Sequence, residues 1–266
     1  MYLTDLYDVF HDDHGEDLSW YLALALEEGG PVLDVAAGTG RLTVPLAEAG
    51  LPVTALELDS RMLAELRRRA RAAPKHVRDR IDSVQGDMGA FDLPKRFSTV
   101  QIPFRSFLHM LDRQRQLGCL RACRDHLVPG GRFAMNVFHP DDDFMADCRG
   151  PGERRWQWVD ERPTDDGGWI LLSEAVHFDH ARQRFVSRHR FECFGADGRL
   201  AWVKLERNEL AYLYPGDVRD LLQAAGFADI EIFGDFRRRP HRLVGQEIVA
   251  IARAPGHQHQ LSSESH

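Results

Sequence analysis

The residues best placed to do chemistry lie around VLDVAAGTGRL, residues 32 to 42, where an apolar run ends in an acid and then in small residues. Glycines after a buried strand cradle a dinucleotide pyrophosphate, hold another nucleoside cofactor, or turn the chain. Asp34 decides against the first. A carboxylate at the mouth of the loop repels a pyrophosphate but accepts hydrogen bonds from a cationic amino-acid end. A second candidate is His109, in PFRSFLHML at 103 to 111. Its intrinsic pKa suits proton removal from an ammonium or hydroxyl near pH 7, or it packs beneath its loop.

Positioning such groups takes a folded core. The chain of 266 residues is long enough for one large domain with an insertion. Its composition, 43% hydrophobic and 28% charged, is that of a globular protein, and a net charge of −7 disfavours a dominant affinity for nucleic acid. The basic runs at 67–71 and 237–240 read as solvated faces. No window approaches a membrane span and the N-terminus has no signal-peptide pattern, so a cytoplasmic protein without membrane attachment is expected. Cys119, Cys123, Cys148 and Cys193 lack paired zinc spacing, and Cys119 and Cys123, one helical turn apart, read as small core residues or as neighbours on a partly buried face.

The first half alternates between strand and helix patterns, the signature of a parallel sheet flanked by helices. Strands are expected at 32–35, 53–58, 81–85, 99–104 and 132–138, and helices at 18–28, 42–49, 62–72 and 113–126. Pro129-Gly130-Gly131 reads as a turn into the fifth strand. From 154 to 214 the pattern becomes polar–apolar alternation with turn signals, which predicts an antiparallel meander. A helix at 217–225 and strands at 229–233 and 246–252 return to the core. The domain plan is a core of 1–150 with an N-terminal lid at 1–17, a β insertion at 151–214, the rest of the core at 215–254, and a disordered polar tail at 255–266.

With these residues in order, the chain resembles the class I S-adenosylmethionine-dependent methyltransferases, whose first motif is a strand ending in an acid followed by x-G-x-G-x-G. TALELDSRML at 54 to 63 and QGDM at 85 to 88 resemble the second and third motifs, and PGG before a fifth strand is the family's usual approach. The resemblance implies a Rossmann-like α/β fold with a mixed seven-stranded sheet, its last strand antiparallel, and S-adenosyl-L-methionine as cofactor. It further implies Glu57 on the ribose hydroxyls and Asp87 and Met88 at the adenine. The expected cofactor contacts are Tyr7, Asp34, Ala36, Gly38, Gly40, Glu57, Leu58, Met62, Asp87, Met88, Pro103 and Phe104. Ala36 departs from the pattern, standing where the family usually has its first glycine.

Among subgroups, the Y-D-x-F start (Tyr7, Asp8, Phe10), the F-x-S-x-x-H after the fourth strand (Phe104, Ser106, His109) and the β insertion resemble bacterial amino-sugar N-methyltransferases. Residues 102 to 105, Ile-Pro-Phe-Arg, replace the D/N-P-P-Y of base methyltransferases, which disfavours a flipped base. The expectation is methyl transfer to a small-molecule acceptor, more readily at an amine than at a hydroxyl. His109 would be the base, and Phe10 and Arg105 the acceptor contacts. Arg105 reads equally as a solvated side chain or a partner for Asp141, Asp142 and Asp143. That acidic run, like the dense group His11 to His14, reads as solvated, and no metal is expected. The tryptophan-rich insertion either roofs the acceptor or forms a homodimer face. Two rival functions stand beside this one: a nucleic-acid methyltransferase, and a non-catalytic S-adenosylmethionine-binding protein.

Overall fold

The computed structural model describes residues 6, 9–10, 15–140, 145, 156–242 and 246–256. Tyr7, the groups at 11–14 and 141–143, Cys148 and the tail from 257 onward, all singled out above, lie outside the described residues.

Buried on both faces, the apolar runs Val32–Val35 (β1), Val53–Glu57 (β2) and Phe97–Ile102 (β4) become the centre of a sheet, as continuous rather than alternating hydrophobic runs must. With Ile81–Gln85 (β3), Leu127–Phe138 (β5), Ala228–Phe233 (β10) and Glu247–Arg253 (β11), they form a seven-stranded sheet of order β10-β11-β5-β4-β1-β2-β3. β11 runs antiparallel to β5 and β10, while β1 to β5 are parallel. The strand order reverses between β1 and β4. At such a switch point the connections leave in opposite directions and open a crevice beyond the carboxyl ends of the strands.

The helices follow the caps that the sequence supplies. Glu16–Glu28 (α1) and Thr43–Glu48 (α2) cover one side, and Ser60–Ala72 (α3) begins after Asp59, whose carboxylate accepts from the Arg61 amide at 2.7 Å. A short helix that the sequence pattern did not announce, Lys75–Arg78 (α4), precedes β3. Arg113–Asp125 (α5) starts after Asp112 in the same way and turns Cys119, Leu120 and Cys123 into the core. Pro215–Ala225 (α6) opens on a proline and closes on Gly226 at φ 89°.

The expected turn at Pro129-Gly130-Gly131 is instead part of β5, which starts at Leu127. The pairing with β4 shifts register between Phe97 and Thr99, so the glycines form an irregularity within the strand. A side chain at Gly131 would meet the carbonyl oxygens of Val128 and Ser98 at 2.9 and 3.1 Å.

Between β5 and α6 a separate antiparallel sheet is built from Gln157–Pro163 (β6), Trp169–Asp179 (β7), Arg184–Phe194 (β8) and Leu200–Ala211 (β9). Its inner face carries two apolar clusters. Leu6 and Phe10 pack with Ile170, Leu172 and Phe191 in one, and Met145 packs with Phe178, Phe185 and Tyr212 in the other. No helix among the described residues is long and apolar enough to cross a membrane.

Candidate active site

The loop after β1 is shaped by backbone sign. Ala36, Gly38 and Gly40 all have positive φ, at 57°, 59° and 90°. A glycine is at home there, whereas alanine costs about 1 to 2 kcal/mol of steric strain. The position of Ala36 therefore asks for the glycine that the family pattern places there, and the alanine is accommodated in the left-handed region rather than by a shifted loop. The two glycines differ in surroundings. A Cβ at Gly40 would lie 3.1 Å from Leu66 Cγ, so that glycine allows α3 to close on the loop. A Cβ at Gly38 would meet nothing within 4 Å, which leaves open space on the crevice side.

Two acids hold this loop. The Glu57 carboxylate, almost wholly buried, accepts from the amides of Gly38 and Asp59 through separate oxygens, each at 2.8 Å. Asp34 is fully buried, and its Oδ2 accepts from the Thr43 hydroxyl at 2.6 Å. Its Oδ1 is buried and has no hydrogen-bond partner, an expensive state for a carboxylate. Burial pushes the Asp34 pKa up to about 7, with the bond from Thr43 opposing and the Glu57 charge adding to the rise. A buried acid lacking a donor fits a cationic amine as its missing partner.

Leu58 leaves 60% of its surface exposed just past β2, with Met62 half-buried on α3 and Met88 buried after β3. These apolar groups suit a planar base. Asp87 accepts from the Gly89 amide at 2.8 Å, and its two oxygens both accept from Nη2 of Arg115, at 2.8 and 3.0 Å. The amide bond first, and Arg115 second, hold its carboxyl below the usual range. Arg115 was not foreseen; it lies on the first turn of α5, far from Asp87 in sequence.

After β4 the chain makes an unusual bend. Phe104 and Arg105 both adopt left-handed backbone, at φ 56° and 61°, before a 3-10 turn over Ser106–His109. Two clamps hold the bend. Arg41 stands 5.0 Å over the Phe104 ring and makes paired bonds to Asp17 of α1 at 2.7 and 2.8 Å. Arg105 bonds Glu247 of β11 at 2.8 Å and lies over the Phe138 ring at 4.8 Å. Glu247 in turn accepts from Asn136, whose amide oxygen accepts from the buried Tyr21 hydroxyl at 2.8 Å. Arg105 is thus engaged by the fold rather than presented to an acceptor.

Pro103 is buried at the strand end and His109 keeps an exposed edge. The protein packed around the His109 ring holds its pKa below 6.5, and the Glu206 carboxylate on β9 opposes that shift. Phe10, expected at the acceptor, is buried against Phe191 at 5.7 Å, so it serves packing of the N-terminal segment on the second sheet. Among the described residues, no group of three or more acidic, histidine or cysteine side chains is arranged to hold a metal ion.

A doubly flanked sheet with its switch point at β1 and β4, a glycine loop under an unpartnered acid, and a second acid after β2 define a nucleoside-binding α/β protein of the methyltransferase type. Comparisons agree. A family model described as a methyltransferase domain matches residues 32–131. The CcbJ methyltransferase from Streptomyces caelestis is 26% identical and superposes with a TM-score of 0.75 over 96% of each chain. The glycopeptide N-methyltransferase MtfA, in complex with S-adenosyl-L-homocysteine, is 30% identical, with a TM-score of 0.58 over 91% of this chain and 90% of that one. The dTDP-3-amino-3,6-dideoxy-alpha-D-glucopyranose N,N-dimethyltransferase of Streptomyces fradiae is 34% identical over 136 residues. That match takes in 48% of this chain and spans 50% of the relative's length. The chain belongs to the class I S-adenosylmethionine-dependent methyltransferases, and S-adenosylmethionine is its cofactor.

Proposed function

We propose that the protein transfers a methyl group to an amine nitrogen of a small metabolite, an amino sugar or a comparable polar amine. The observation that carries this reading is the juxtaposition of His109 with the inner face of the second sheet, beside a crevice suited to the cofactor. The relatives named above as N-methyltransferases support the choice of nitrogen. In this assignment Asp34 receives the cofactor's ammonium, Glu57 its vicinal hydroxyls, and Leu58, Met62 and Met88 flank its base. The cofactor supplies a methyl group on a sulfonium, so transfer is an in-line displacement that needs alignment and a nitrogen lone pair. Phe104, clamped by Arg41, and His109 sit on the bend that separates cofactor from acceptor. A neutral His109 accepts the proton that an ammonium acceptor must lose.

The inserted segment 151–214 serves as the acceptor side of the protein. Its outward face, with Trp158 66% and Leu205 67% exposed, is read as the contact with a second copy of the chain. A cytoplasmic setting is part of the same reading and agrees with the free thiols of Cys119, Cys123 and Cys193. The test is a panel of amine and hydroxyl metabolites scored for S-adenosylhomocysteine release. Product from amines is expected. Product from alcohols alone, or salt-dependent RNA binding without small-molecule turnover, overturns the assignment.

A further inference from the structure

The inner face of the second sheet carries a row of charge where an apolar face is expected. Cross-strand register sets Glu174 of β7 directly opposite His189 of β8, and His189 opposite Glu206 of β9. His189 Nε2 lies 3.3 Å from Glu174, its Nδ1 lies 3.6 Å from Glu206, and the buried Ser187 hydroxyl donates to Glu174 at 2.6 Å. The row is half-buried and falls between the two apolar clusters built on Phe191 and on Phe178.

Apolar residues of similar volume would close the gap between the clusters without any charge, so what the row adds to this face is charge held at a fixed place. Burial works against the charge of His189, but its bonds to Glu174 and Glu206 outweigh this and push its pKa up to about 9. At neutral pH His189 is a fixed cation and no acceptor of protons. The bonds from His189 and Ser187 likewise keep Glu174 ionised against the effect of burial.

The row faces the bend: β9 packs against the 3-10 turn Ser106–His109, and Glu206 is the acid whose field reaches His109. We infer that the Glu174–His189–Glu206 row is the subsite for a cationic acceptor, with Glu206 receiving the acceptor's ammonium beside His109 and Glu174 holding His189, and through it Glu206, in place. The inference rests on the amine-methylating reading above and specifies which acceptors that site takes: those that arrive protonated. Once the ammonium is held, one N–H bond breaks, its electron pair stays on nitrogen and the proton passes to the His109 imidazole.

The test uses the full chain and the amine that the acceptor panel returns, with Glu206→Gln, Glu206→Asp and Glu174→Gln. For Glu206→Gln the acceptor KM is expected to rise about tenfold or more while S-adenosylhomocysteine affinity stays within about twofold, as loss of one partner of a charge pair requires. The acidic limb of kcat/KM, which reports His109, shifts to lower pH in the same variant, because the carboxylate that favours its charged form is gone. Glu206→Asp recovers most of the affinity, and Glu174→Gln raises KM with less effect on the pH limb. Amine turnover with acceptor KM and pH limb both unmoved in Glu206→Gln overturns the inference alone. A panel in which no amine reacts with the wild-type protein overturns the underlying reading instead.

Discussion

Asp34 sets the most testable property of the site, because its fully buried carboxyl is pushed up to about 7 from an ordinary 3.8. Between those values the folded chain holds a proton that the unfolded chain has lost. Stability is therefore greatest below about pH 4 as far as this group is concerned, falls as pH climbs toward 7, and levels off above it. The full difference is on the order of 4 kcal/mol. Asp34→Asn should flatten that slope in denaturant titrations across pH 4 to 8. A cation brought beside Asp34 favours its charged form, so cofactor binding at pH 6 should release a proton. Calorimetry in two buffers of different ionisation enthalpy reads the release, and it should vanish in Asp34→Asn. The glycines make a second contrast. Gly40→Ala meets both a positive φ and Leu66 at 3.1 Å, so it should lose about 2 to 4 kcal/mol of stability. Gly38→Ala meets only the φ penalty of about 1 to 2 kcal/mol, while its methyl enters the crevice and should weaken S-adenosylmethionine binding tenfold or more. Equal stability loss in the two, with unchanged affinity in both, would remove the loop from the cofactor site.

The elements around the site were legible in the sequence to different depths. Runs such as VLDV and TALE announce buried central strands because a parallel strand buries both faces, and the helix expected from 113 begins there, capped by Asp112; the helix expected from 62 begins at Ser60, because the Asp59 carboxylate caps its first amides. The acids at strand ends were legible too, since Asp34 and Glu57 occupy fixed offsets from the glycine loop. Side-chain pairings between distant elements were not. Nothing in one sequence ties Arg115 to Asp87, Arg105 to Glu247 or Arg41 to Asp17, since each depends on which helix or strand the sheet order brings alongside. The Glu174–His189–Glu206 row is hidden in the same way, because it exists only once cross-strand register is set. The Arg105 clamp yields its own prediction at this scale. Glu247→Ala releases Arg105 and leaves the Asn136 amide short of an acceptor, so the bend at Phe104 and Arg105 loses one of its two restraints. Turnover should fall about tenfold with cofactor affinity nearly unchanged, and Glu247→Gln should restore part of it. Stopped-flow single-turnover rates against S-adenosylmethionine affinity separate the two effects.

At the scale of the whole molecule, the second sheet presents one face to the site and the other to solvent. The outward face aligns Trp158, Ser173, Arg190 and Leu205 in one cross-strand row, with Val203 in the next. Trp158 on one edge strand and Val203 and Leu205 on the other leave apolar surface open to solvent on this face, which the dimer reading covers with a second copy. Wild-type protein is expected to sediment at twice the chain mass, and Trp158→Glu combined with Leu205→Glu to sediment at the mass of one chain with cofactor affinity retained. Wild type sedimenting as a single chain at high concentration would refute the pairing.

The chain departs from the core at His139 and returns to it at Tyr214, and the rings of these two residues lie only 4.2 Å apart. For the core, the excursion between them is a closed handle: its length is free to change at a slowly growing entropic cost, while the strands on either side keep their places. In the assignment proposed above, the residues that grip the nucleoside and the charged row that receives the acceptor lie on separate stretches of one polypeptide. On that assignment, substitutions along the handle would retune which amine is accepted without loosening Asp34, Glu57 or the loop between them, so a collection of such handles on one unchanging core would read a wide range of acceptors with a single way of delivering the methyl group.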